Sequence, residues 1–142
     1  MFAPKSLDDI DFDARMNIAY HEEMERLCSR RCNGAAFLSV LLASGGVAIL
    51  EGPWLMALGA VTTLVNLYVL AYSISDRGRQ HAHAKAAWYE LLMRVADANP
   101  NDDTAELRQM YNRISATEPP ADGRQLKRAY KRTLAIAEHS AA

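Results

Sequence analysis

Cys28 and Cys32 stand one helical turn apart with His21 upstream, and thiolates and imidazoles are the side chains that bind zinc. A structural zinc site needs a second pair of ligands, and the chain has two cysteines in all, so small buried apolar side chains are the expected role. His81 and His83 are two residues apart, which sends them to different faces of a helix and rules out chelation of one ion. Both are expected at the surface. Asp8, Asp9, Asp11 and Asp13 share the alternating acids of a calcium loop but lack its glycine and its terminal glutamate, and are better read as signals for a helix start. There is no phosphate-binding loop, nucleophile elbow, pair of catalytic acids or zinc-protease motif. No enzyme activity, catalytic residue, cofactor or metal is expected.

A second group of polar residues is conspicuous because of what surrounds it. Thr62, Asn66 and Ser73 fall on one side of a helix inside a run without any Asp, Glu, Lys or Arg from Gly52 to Ser75. A polar stripe in such a run must face protein or water. Two readings are open: Asn66 hydrogen-bonds to a neighbouring helix of the same chain, or several copies assemble so that Thr62, Asn66 and Ser73 line a narrow polar path. In the second case Glu51 forms a ring at the outer mouth and biases the path toward cations. Ser39, Ala43 and Gly46 belong to a set of small residues in the preceding apolar run that lets helices approach closely.

The elements that position these residues follow from length and charge. Composition alone, 50% hydrophobic and 23% charged, suits an ordinary soluble domain, but the charged residues avoid Cys32–Leu50 and Gly52–Ser75. At about 1.5 Å per residue, 34–50 covers roughly 25 Å and 54–74 roughly 31 Å, against a hydrocarbon core of about 30 Å. Glu51-Gly52-Pro53 joins them as antiparallel neighbours. Arg26, Arg30 and Arg31 precede the first run, and Arg77, Arg79 and Lys85 follow the second, which puts both ends in the cytoplasm. Trp54 near the loop, with Tyr68 and Tyr72 near the other end, suits the two interfaces. Residues 8–25 carry seven acids, unlike a signal peptide. A net charge of -1 gives no argument for nucleic acid.

The flanking segments read as amphipathic helices. Tyr20, Met24, Leu27 and Arg31 form a narrow stripe on a first helix that runs without a breaker toward the membrane. Asp76-Arg77-Gly78-Arg79 allows a bend, after which Trp88, Leu91, Leu92 and Val95 mark a packed face. Asp103 with Glu106 has the spacing of a capping box, ahead of Leu107, Met110, Tyr111 and Ile114. Glu118-Pro119-Pro120 breaks the chain before a last helix from about Asp122 to His139, with Leu126, Tyr130 and Leu134 in line among Arg124, Lys127, Arg128, Lys131 and Arg132. That basic cluster is expected to be solvated or to meet another subunit. The expected fold is all-α: a cytoplasmic N-terminal helix (1–33), a two-helix transmembrane hairpin (34–75) and cytoplasmic C-terminal helices (76–142), with the soluble segments packed as a bundle.

Asn17-Ile18-Ala19-Tyr20-His21, Leu42-Ala43-Ser44-Gly45-Gly46, Arg79-x-His81 and Glu118-Pro119-Pro120 together resemble the bacterial and prophage two-span proteins related to the SLATT group, the SMODS and SLOG-associating two-transmembrane effectors. The resemblance implies a bacterial inner-membrane effector in antiphage conflict that permeabilises the membrane when a separate sensor protein signals. It brings no catalytic residues. The function expected is an oligomeric pore or channel-like effector whose partners are the lipid bilayer and further copies of itself. A membrane anchor or scaffold for a cytoplasmic partner, and a holin-like lysis or exclusion protein, are the alternatives.

Overall fold

The computed structural model describes residues 6–49, 52–71, 74–98 and 104–140, with all their side chains except those of 43–49, 70–71 and 140. The described residues form five helices, α1 (Leu7–Ile49), α2 (Pro53–Ala71), α3 (Ile74–Asp97), α4 (Ala105–Thr117) and α5 (Gly123–Ser140), and contain no strand. They divide into two units, one of residues 1–25 and 79–142, the other of residues 26–78.

The first helix starts on a reciprocal cap. Ser6 Oγ accepts from the Asp9 backbone N–H at 3.2 Å, and the Ser6 N–H donates to Asp9 Oδ2 at 3.0 Å, satisfying donors that a helix start leaves open. From there α1 runs to Ile49, as the absence of a breaker predicts. The capping box expected at Asp103 and Glu106 falls partly outside the described residues, which omit Asp103. Thr104 occupies the N-cap of α4 without a side-chain cap bond. Asp122 caps α5 by accepting from the N–H groups of Arg124 (2.9 Å) and Gln125 (3.3 Å). No bend interrupts 76–79, since α3 passes through Gly78. The glycine instead makes room: a Cβ there would stand 3.4 Å from Cys28 Cβ.

In the larger unit the core is a cluster of Ile10, Ala14 and Ile18 from α1, Trp88, Leu91 and Val95 from α3, and Leu107, Tyr111 and Ile114 from α4. Trp88 and Tyr111 meet edge to face, with ring centroids 5.3 Å apart. The predicted faces of α3 and α4 are the buried ones. On α1 the buried row begins earlier than the stripe from Tyr20, because Ile10, Ala14 and Ile18 sit at helical spacing among acids that mask them in the sequence. Helix α5 departs from its prediction. Ala129 and Thr133 are buried, while Tyr130 and Leu134 are 47% and 39% exposed, so the packed face lies one position away from the apolar line. Small side chains let α5 sit close, and Tyr130 reaches sideways to place its ring edge-on to Phe12, centroids 5.8 Å apart.

The second unit holds the apolar part of α1 and all of α2. Gly52, at φ +66°, makes the turn into α2, a conformation that suits a residue without Cβ, and its carbonyl accepts from the Leu55 N–H at 3.2 Å. Among the described residues one stretch is long and apolar enough to cross a membrane; it lies within Pro53–Asp97, with a mean hydropathy of 1.7 and none of it buried. Of the other expected span, 34–50, residues 34–49 form the last part of α1. Its described side chains include Phe37 and Val40, 66% and 65% exposed.

Candidate functional site

The residues expected to work in the membrane are partly described. Ser39, half-buried on α1, donates from Oγ to Asn66 Oδ1 at 3.0 Å. Thr62 Oγ1 donates to the Leu58 carbonyl and Thr63 Oγ1 to the Gly59 carbonyl, each at 2.9 Å, so both hydroxyls are satisfied one turn back in their own helix. Leu58, Thr62, Val65 and Val69 are the half-buried residues of α2, at the spacing of one helical face. Asn66 stands beside that face and is exposed apart from its bond to Ser39. Trp54 and Tyr68 are 69% and 50% exposed. Ala43 and Gly46 belong to α1, but their surroundings lie outside the described residues, as do Glu51, Tyr72 and Ser73.

The structure draws together a second group that spacing does not reveal. His81 is 4% exposed rather than at the surface, and it faces His21, which is fully buried. Their Nδ1 atoms are 2.9 Å apart, and His21 Nε2 is 2.9 Å from Glu118 Oε1. The Trp88 indole N–H donates to the same carboxylate oxygen. Tyr20 sets its ring edge-on to both imidazoles, with centroids at 5.1 Å and 5.9 Å. Its hydroxyl accepts from the Asp122 N–H at 2.9 Å. Helix α1 therefore supplies Tyr20 and His21, α3 supplies His81 and Trp88, and the corner between α4 and α5 supplies Glu118 and Asp122.

The hydrogen bonds fix the protons. A carboxylate can only accept, so with both imidazoles neutral His21 donates from Nε2–H to Glu118 and its Nδ1 lone pair accepts from His81 Nδ1–H. Burial pushes the His81 imidazole below its ordinary range, the neighbouring His21 pushes the same way, and Glu118 opposes them. His83, two residues on, is exposed. The surface expectation fails for His81 because it judged the two histidines against each other. The partner that buries His81 lies sixty residues away in the chain.

Cys28 is buried and Cys32 half-buried, both as free thiols. Burial raises the Cys28 thiol above its ordinary range against the pull of Arg31 and Arg77, which keeps it protonated and a poor nucleophile. Among the described residues no group of three His, Cys, Asp or Glu side chains is placed to hold a metal ion. An open groove of about 660 Å³ runs between α1, α3 and α5, with Phe12, Tyr89, Leu92 and Ile136 in its lining and Arg15 and Arg132 at its sides. Asp11 and Glu22 are the carboxylates of its lining, and Asp11 accepts from the Arg15 guanidinium at 2.7 Å and 3.0 Å. Comparison with known protein families, curated proteins and solved structures finds no match.

Proposed function

We propose that the chain is an integral protein of a bacterial inner membrane, in which the last part of α1 and α2 cross the bilayer as a hairpin with both termini in the cytoplasm. Copies associate through the spans, and the larger helical unit remains in the cytoplasm as the part that receives a signal. The activity proposed is that of an oligomeric pore or channel-like effector of the SLATT-related type, serving antiphage defence or prophage-encoded membrane disruption in answer to a separate sensor protein. The observation that carries the reading is the contrast between the units. One has a packed core around Trp88 and Tyr111, while the apolar stretch beginning at Pro53 buries none of itself. An exposed apolar surface of that length is unstable in water and stable in lipid.

Polar groups along α2 fit the same setting. Thr62 and Thr63 satisfy their hydroxyls within the helix, and the amide nitrogen of Asn66 retains donors beyond its oxygen's bond to Ser39, which in lipid favours association with another copy. The Ser39–Asn66 bond also favours a second reading, a membrane anchor or scaffold that recruits a cytoplasmic partner, because it ties the polar side chain inside one chain. Expression with a voltage-sensitive dye separates the two. A pore gives depolarisation that Asn66→Leu reduces several-fold at equal protein level. Full depolarisation in the variant removes Asn66 from the path, and a membrane potential unchanged by the wild-type protein favours the scaffold.

A further inference from the structure

We propose that His21, His81 and Glu118 form an acid-operated latch that fastens the corner between α4 and α5 to α1 and α3. The latch does not depend on the hairpin crossing a bilayer. Residues 118–122 lie between two helices, and three bonds tie them down. Glu118 accepts from His21 and from Trp88, and the Asp122 N–H donates to Tyr20. All three groups that hold this corner, His21, Trp88 and Tyr20, therefore belong to one buried cluster with the imidazole pair at its centre.

Proton counting shows why the cluster responds to acid. With both histidines neutral, His81 Nδ1–H donates to His21 Nδ1, and His21 Nε2–H donates to Glu118. One added proton can enter at His81 Nε2 and leave every bond in place, its charge offset by the Glu118 carboxylate. A second would have to enter at the shared position, putting two N–H groups head to head at a nitrogen separation of 2.9 Å, and the imidazoles must then part. The unfastened cluster takes up two protons and the fastened one at most one.

The sign follows. Burial and His21 lower the His81 imidazole from its ordinary value, so the fastened state is favoured above the ordinary histidine range near pH ~6.5. That advantage is lost as the pH falls below it. An uptake of at least one proton shifts the opening equilibrium about tenfold per pH unit. The charged and titratable groups around the pair are few. On α1 they are Tyr20 and Glu25, the latter paired with Lys85 of α3 at 2.5 Å. From α4 comes Tyr111, bonded to Asp13 of α1 at 2.9 Å. At the corner are Glu118 and Asp122. None is a second acceptor in contact with His81 Nε2 that would draw a further proton into the closed cluster.

Hydrogen exchange of the full-length chain in neutral detergent micelles, expressed as protection factors corrected for intrinsic rates at each pH, tests the latch. Protection across residues 118–126 should fall about tenfold per pH unit between roughly pH 6 and 5 and return when the pH is raised. His81→Asn places a carboxamide where Nδ1 stood and should abolish that dependence. Equal protection at both pH values, or an unchanged slope in the variant, overturns the proposal. If the variant does not fold, imidazole nitrogen spectra of the wild-type protein near neutral pH decide. One Nδ1–H and one Nε2–H tautomer in the coupled pair support the latch, and two Nε2–H tautomers defeat it.

Discussion

Tyr111 gives the plainest case of a side chain whose polar end is satisfied from a distant helix. The ring is 2% exposed and packs on Trp88, while the hydroxyl donates to Asp13 Oδ2 at 2.9 Å. Burial first, and then the bond to Asp13, push the phenol above its ordinary range, so it stays a neutral donor at any physiological pH. Tyr111→Phe keeps the packing and removes the donor from a carboxylate. It should cost about 1.5–3 kcal/mol, as for hydrogen bonds to charged groups, read as a lower urea midpoint with unchanged slope. The apolar half of this residue was legible from its place in the Leu107, Tyr111 and Ile114 row. Its bond to Asp13 was not, and neither was the pairing of His21 with His81. Helical spacing compares residues within one element, and these partners meet across elements.

Among the elements, α1 and α2 are joined by a bond whose strength depends on its surroundings. Ser39→Ala and Asn66→Leu remove the two ends of one interaction, and a double-mutant cycle on unfolding in detergent should return a coupling of about 0.6 kcal/mol, below about 2. No coupling would mean that the two helices do not depend on this contact. Helix existence and order were readable from apolar periodicity and from Gly52-Pro53 and Pro119-Pro120. The face of α5 was not, because the sequence offers Tyr130 and Leu134 as the apolar line, whereas close approach selects the smaller Ala129 and Thr133. Likewise Gly78 suggested a bend, yet its lack of a side chain admits Cys28 against an unbroken α3.

At the scale of the whole molecule, the unit of residues 1–25 and 79–142 has its own core, and the described residues include one long apolar stretch that is not buried. Buried polar chemistry was the part that composition concealed, since His21, His81 and Glu118 are unremarkable singly. The central claim is that residues 34–50 and 54–74 both cross a bilayer, leaving the two ends together on the cytoplasmic side. Single cysteines introduced into a Cys28→Ser, Cys32→Ser background test it directly, using a membrane-impermeant maleimide on intact spheroplasts. Glu51→Cys should label from outside, while Ser6→Cys and Ala142→Cys should label only after permeabilisation. If Glu51→Cys labels only after permeabilisation, or if one terminus labels from outside, the two-span hairpin is contradicted.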